Sequence, residues 1–550
     1  MSPIRIACVL ALAACSVGEP GPSLDIDREL AHVAALTALG PRPAGSEAAR
    51  GAVAVIEREL AGIVLEVAPL GDIDVPAIEV LGTTFRSAQR VHVDDPDLIV
   101  RFGPPGKALL IMAHYDSVPG SPGAVDDAAA VAVLIELARE LHAHPPAQPV
   151  MLAFTADEEG GLVGAEALEA RHGDEVELAI ALDLIGARGR IVLNGASTRI
   201  GLAEMQWLAA AARDAGVIVD APLAHRVVSR WWPQAERADH GVFTRHGTRA
   251  FHLYNRGQDG LWIDTAYHSP RDTLDRVHPA SLAEISRLVR ALVAAPVPRA
   301  DGDGFWLPLA IDTVVSRWWL LAFDLALAAI AVLGLGALRL SGGEARTRGA
   351  GLLLGLACFG VAAAVALVAD HPIALDPERV ALAPYARSVL CAALVITGVL
   401  GLVTRVVARK LAWIGARRYL AVALVPLAAI GIALLAIGAA ELAWIWLVPA
   451  AALAIAPRLP RALAALAAAT TLLPGVLVLW PNQLVEARWN GFWIPGVPLA
   501  AWVVVLGAPA AGAAAWWLRA RPGRGPLGTL VLAVGCGVSA LVGFVLQLAT

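Results

Sequence analysis

Residues 108–142 read ALLIMAHYDSVPGSPGAVDDAAAVAVLIELARELH, and this stretch decides the architecture. Ala108 to Ala113 is an unbroken apolar run, the length of a buried strand, and it is closed by His114. Gly and Pro punctuate the residues up to Gly123, after which Ala128 to His142 spaces its apolar positions as a helix does. The same alternation continues outward. Val150 to Thr155 and Leu178 to Leu184 read as strands, with a helix over Leu162 to Ala170 between them. A helix from Leu202 to Ala215, a strand from Arg249 to Tyr254 and a helix from Ser281 to Ala295 follow. Strands alternating with helices predict an α/β fold, a mixed, mainly parallel sheet sandwiched by helices. In such sheets the ligand site lies at the carboxyl ends of the strands.

The residues at those ends carry the chemistry. His114, Tyr115 and Asp116 close the first strand, Asp126 and Asp127 open the helix after it, and Asp157, Glu158 and Glu159 close the second. Asp183 ends the third, and Tyr267-His268-Ser269-Pro270-Arg271-Asp272 follows the last. No cysteine lies between Cys15 and Cys358, so a metal held here must use imidazoles and carboxylates. Singly, Asp126 reads equally as a helix N-cap, Glu158 and Glu159 as a solvated loop, and His268 as a turn residue. Gathered on one sheet edge, two imidazoles and several carboxylates are the donors a zinc pair requires.

These residues resemble the co-catalytic di-zinc aminopeptidases and glutamate carboxypeptidases. The family pattern is a His-x-Asp, a Gly-x-x-Asp-Asp/Asn helix start, a Glu-Glu pair, a later Asp and a final His. The resemblance spans residues 24–298, opening with Leu39-Gly40-Pro41-Arg42 and Gly45-Ser46 and including Ala238-Asp239-His240-Gly241-Val242-Phe243. It implies two zinc ions per chain: His114, Asp126 and Asp183 on one, Asp126, Glu159 and His268 on the other, and Glu158 as general base. Chemistry agrees with those roles, since a carboxylate beside a ligand but not itself one can take a water's proton. Asp116 is placed to accept the other N–H of His114 and fix its tautomer. Tyr267 has two readings, an oxyanion donor or a packing residue. Asp239 and His240 are expected to support the pocket. Ala128-Ala129-Ala130 and Ala238 depart from the family's usual residues without removing a ligand.

Composition places this domain beside something different. The chain has 550 residues, 57% hydrophobic and 17% charged, too apolar for a purely soluble globule. Residues 1–300 hold 38 acids and 26 Lys/Arg, residues 301–550 only 10 and 17. Twelve of thirteen histidines precede residue 300, and twelve of sixteen tryptophans follow it. Residues 314–550 are therefore expected to form an all-α polytopic membrane domain. About eight spans are expected, near residues 318–340, 350–369, 387–405, 419–439, 442–457, 461–480, 496–518 and 527–548. Arginines crowd the odd-to-even loops, which the positive-inside rule assigns to the cytoplasm, so the preceding domain is expected outside. Residues 1–15 read as an export signal. Leu12-Ala13-Ala14-Cys15 resembles a lipobox, which makes Cys15 either a lipidated first residue or a chance feature of a short anchor. Asp324, the acid inside a span, is either functional or bonded to a neighbouring helix.

The function expected is a membrane-anchored zinc exopeptidase of an inner, multi-pass membrane. Its peptidase domain is expected in the periplasm, with peptides and lipid as partners and no role for nucleic acid. The chain is similar to the multi-pass vacuolar and endoplasmic reticulum membrane proteases of the family. An aminopeptidase is expected because Asp259, Asp264, Trp231, Trp232 and Trp262 outweigh the lone Arg256 near the site. Alternatives are a carboxypeptidase with Arg256 as carboxylate clamp, a non-catalytic scaffold like the transamidase's membrane subunit, a transporter with an accessory hydrolase, and a one-zinc glutaminyl cyclase.

Overall fold

The computed structural model describes residues 23–80, 83–197, 199–221, 236–257, 266–300, 306–310, 313–337 and 416–472. The chain divides into two compact units, Met1–Val314 and Val315–Thr550.

The first unit is built on one eight-stranded sheet. Its strands are β1 (Leu65–Val75), β4 (Gln89–Phe102), β5 (Ala108–His114), β6 (Val150–Thr155), β7 (Val176–Leu182), β8 (Ile191–Ala196), β9 (Val219–Asp220) and β10 (Ala250–Asn255). The order is β1-β4-β6-β5-β7-β10-β8-β9. β5 pairs in parallel with β6 and β7, β7 with β10, and β8 with β9, while β1–β4, β4–β6 and β8–β10 are antiparallel. The sheet is thus mixed, with its parallel centre under the predicted site. β2 (Ile78–Val80) and β3 (Thr83–Arg86) pair antiparallel in a separate two-stranded sheet.

Every residue of β5 is buried because both faces of the sheet are covered. Leu109, Ile111 and Ala113 pack on one side with α1 (Ile26–Thr37), α2 (Glu47–Glu59), α3 (Ala129–Ala143), α5 (Leu202–Ala215) and α7 (Pro279–Ala294). Ala108, Leu110 and Met112 pack on the other with α4 (Val163–His172) and α6 (His240–Arg245). Side-chain caps start the first two helices: Asp25 accepts from Arg28 N–H at 3.2 Å and Ser46 from Ala49 N–H at 3.0 Å. The six predicted elements from Val150 onward form within two residues of their expected bounds. The strands β1, β4 and β8 and the helices α1 and α2 add to them.

β11 (Trp306–Ala310) lies in the first unit and pairs with β12 (Thr313–Ser316), which crosses the boundary at Val314; in the second unit α8 (Arg317–Ala337), α9 (Ala416–Ala436), α10 (Ala440–Ile455) and α11 (Arg461–Ala469) are described. Among the described residues one helix, Trp318–Gly336, is long and apolar enough to cross a membrane. Shorter apolar stretches cover Leu427–Ala436 and Leu442–Arg458. The expected span at 461–480 begins as the nine-residue α11 and passes into a 3-10 turn at Thr470–Leu472. Small residues allow close packing: Gly334 of α8 abuts Ala454 of α10, and Gly431 of α9 abuts Leu447. Asp324 is buried. The spans expected at 350–369, 387–405, 496–518 and 527–548, and the signal with Cys15, lie outside the described residues.

Candidate metal centre

β5, β6 and β7 run side by side with His114 opposite Thr155, so their carboxyl ends open onto one edge. His114 is the last residue of β5, and Asp183 follows the last residue of β7. After Gly123, whose φ is +60°, the chain makes a five-residue turn, Ala124–Ala128, that presents Asp126 before α3 begins. The Asp126–Asp127 peptide is cis. Glu158 and Glu159 follow Asp157, and His268 sits in the loop after β10. Both Asp157 and His268 have φ of +53°, left-handed backbone that costs a residue with a Cβ about 1–3 kcal/mol and gathers at functional sites.

Two groups of three donors come together among the described residues: His114, Asp126 and Asp183, and Asp126, Glu159 and His268, the donor atoms of each lying within 4.8 Å of one another. Asp126 belongs to both and divides its oxygens between them. Its Oδ1 lies 3.3 Å from His114 Nε2, and its Oδ2 lies 3.3 Å from His268 Nε2. His114 Nε2 is also 3.8 Å from Asp183 Oδ1, and His268 Nε2 is 3.1 Å from Glu159 Oε2. Tetrahedral zinc with bonds of about 2.0–2.1 Å separates its ligand atoms by roughly 3.3 Å, so both groups have the spacing and donor types of a zinc site.

The electrostatics point the same way. Burial opposes charge on His114, yet Asp116, Asp126 and Asp183 outweigh it and hold the imidazole well above its ordinary range. Burial likewise resists the positive form of His268, but Asp126 and Glu159 push it up to about 10. Burial and the Asp126 charge lift Glu159 to about 7, and burial raises Glu158 well above the usual carboxylate range. Asp126 goes the other way, since the two imidazoles overcome its burial and hold it low. Glu159 Oε1 and both oxygens of Asp127 are buried without a hydrogen-bond partner. This edge holds more carboxylate than its imidazoles balance, and divalent cations fit that surplus.

Asp116 ties the parts together. Its Oδ1 and Oδ2 accept the backbone N–H groups of Glu158 and Glu159 at 3.1 and 3.2 Å, and Oδ1 lies 3.4 Å from His114 Nδ1. The Tyr267 ring stacks on His268, centroids 3.7 Å apart. Asp239 accepts from Thr155 Oγ1 at 2.5 Å, and burial raises it to about 6. His240 Nε2 lies 3.2 Å from Glu236 Oε2 and its ring stacks on His252, which the sequence reading passed over. His252 donates to the Asp183 carbonyl at 3.4 Å, and burial lowers it to about 4. Its sign in the sequence is an imidazole among the apolar residues Ala250, Phe251 and Leu253 of the strand. Arg256 is buried, with its Nε 3.6 Å from Asp220. Trp231, Trp232, Asp259, Trp262 and Asp264 lie outside the described residues.

Residues 97–293, which carry every member of both donor groups, match peptidase family M28. This M28 match lies wholly within the first unit. Among curated proteins the chain is similar to a vacuolar membrane protease of Candida glabrata, 33% identical over 119 residues that make up 21% of this chain and 13% of that protein. It is also similar to aminopeptidase YwaD of Bacillus subtilis, 25% identical over 199 residues, 35% of this chain and 41% of that one. The chain thus spans less than half the length of either relative. Among solved structures, a zinc aminopeptidase from Bacillus subtilis aligns with 52% of this chain and 99% of its own, at 15% identity and a TM-score of 0.41.

Proposed function

We infer that the chain is a membrane-anchored, zinc-dependent exopeptidase acting as an aminopeptidase. What supports this above all is Asp126, which turns one carboxylate oxygen to each donor group. His114, Asp126 and Asp183 would hold one zinc ion, and Asp126, Glu159 and His268 a second. Bound there, zinc supplies the positive charge that polarises a scissile carbonyl and acidifies water.

The chain's own residues do the rest. Glu158 takes the proton of the attacking water and passes it to the leaving amine. Asp116 fixes the Glu158 backbone and orients His114. Tyr267 donates its hydroxyl to the developing oxyanion. Glu158 and Asp183 receive the substrate's terminal ammonium. A carboxypeptidase needs a cation free to meet a terminal carboxylate, and the Arg256–Asp220 pairing weighs against Arg256 in that role. A non-catalytic scaffold would be expected to lose donors, whereas both groups are complete.

The membrane reading is a multi-pass inner-membrane protein with the M28 unit in the periplasm. It is supported by the apolar helix Trp318–Gly336 and by the arginine-rich loops. A vacuolar membrane protease among the relatives is consistent with it.

Metal analysis of the purified full-length chain should find close to two zinc ions, and Glu158→Gln should keep them while abolishing turnover. N-terminal acetylation of a peptide with an apolar first residue should block cleavage, and C-terminal amidation should not. A chain that takes up no zinc overturns the reading. Full turnover in Glu158→Gln overturns the base assignment, and block by amidation makes the enzyme a carboxypeptidase.

A further inference from the structure

The turn that presents Asp126 is gripped from both sides. On its carbonyl side lies Arg42, fully buried, whose Nε donates to Tyr115 O at 2.8 Å and Nη2 to Gly123 O at 3.0 Å, with Nη1 donating to Pro122 O. On its amide side lies Asp272, 1% exposed. Its Oδ1 accepts Val125 N–H at 2.9 Å, its Oδ2 accepts Asp126 N–H at 3.2 Å, and its carbonyl accepts Ala124 N–H at 3.2 Å. Three consecutive amides of a turn with non-helical dihedrals at Asp126 and Asp127 thus end on one residue.

Asp272 also belongs to the His268 loop. Ser269 N–H and Oγ both reach Ala266 O, and Asp272 N–H donates to Ser269 O at 3.1 Å, so two linked turns run from Ala266 through His268 to Asp272. The circuit closes through the side chains, where His268 Nε2 meets Asp126 Oδ2. We propose that Asp272 is a positioning residue that locks the His268 loop to the backbone of Asp126, with Arg42 as its counter-charge across the turn. The inference rests on the zinc reading above. Rotation of Asp126 would disturb both donor groups at once, so the lock governs retention of both ions.

The test uses the full-length chain in detergent, loaded with zinc, and follows zinc release to a chromophoric chelator together with amide hydrogen exchange across residues 124–126. Asp272→Ala should release zinc about 10–100-fold faster, the scale seen when partners of metal ligands are removed, and should speed exchange of those amides. Asp272→Asn, which keeps one acceptor oxygen, should fall between it and the unaltered chain. Gln148→Ala is the control for general loosening. It removes donations to Val293 O and Ala295 O, both at 2.7 Å, away from the site, and should lower the unfolding temperature while zinc release stays unchanged. If the unaltered chain binds no zinc, the function reading fails. If it binds zinc and Asp272→Ala releases it at the same rate, or Gln148→Ala releases it equally fast, the lock alone is overturned.

Discussion

Asp116 offers two oxygens to the amides of Glu158 and Glu159 and one of them also to His114, so one carboxylate links the proposed base and a proposed ligand at one strand end to a proposed ligand at another. Asp116→Ala should therefore lower kcat by about 10–100-fold and weaken zinc binding together, measured by steady-state kinetics and metal titration on the same sample. Glu29 shows the opposite use of an acid. It is fully buried on α1, Ser286 of α7 donates to it at 2.7 Å, and Glu136 of α3 and Asp25 add negative charge beside it, while His32 and Arg28 face Glu136 instead. Burial first, then those acids, lift Glu29 from 4.5 to about 8. Between those values the folded chain keeps a proton that the unfolded chain has lost, so stability falls as pH rises through the window, by roughly 1.4 kcal/mol per unit at most. Thermal unfolding should show that decline, and Glu29→Gln should flatten it. The donors themselves were legible in the sequence because each sits in a short motif at a strand end. Asp272 and Arg42 carry no such mark in the sequence, since they act through backbone groups that no residue spacing betrays.

Among the elements, β5, β6 and β7 were readable because strands covered on both faces are continuous apolar runs. β4 was not. It carries Asp94, Asp95, Pro96 and Asp97 in mid-strand, a composition that argues against a strand in any sequence reading. The structure shows what those residues do: Asp95 accepts Gly45 N–H at 2.6 Å, Pro96 O accepts the Tyr115 hydroxyl at 2.8 Å, and Asp97 accepts Ala156 N–H at 3.0 Å. Pro96 lies opposite Pro69, beside an irregularity in the β1–β4 register that accommodates both prolines. The strand's polar residues thus anchor the loops that hold the site. α4 approaches the same place through Gly164, where an added Cβ would come 2.5 Å from Asp97 Oδ1 and 2.6 Å from Ala156 O. Gly164→Ala should cost about 1–3 kcal/mol in stability by overpacking, and should lower kcat more than KM by shifting the turn that leads to Glu158. Denaturant unfolding and steady-state kinetics check the two effects.

At the scale of the whole chain, the boundary between the two units falls near residue 314, where the sequence also reverses in charge and rises in apolar content. Helix bounds in the second unit were less legible, since uniformly apolar segments such as that around α10 lack the caps and periodicity that mark an end. The proposed orientation predicts that a reporter active only outside the cytoplasm works when fused after residue 300 or 378 and fails after residue 348 or 412; the reverse pattern would put the M28 unit in the cytoplasm. The sheet order β7-β10-β8 also sets a timetable for synthesis. His114, Asp126 and Asp183 have all emerged once β7 is made, so the first donor group can assemble on a nascent chain. β10 must still enter between β7 and β8, and His268 arrives only after it. The second donor group is therefore the last part of the site to be completed, and a chain stalled before β10 would hold a half-built centre beside an unfilled slot in its own sheet.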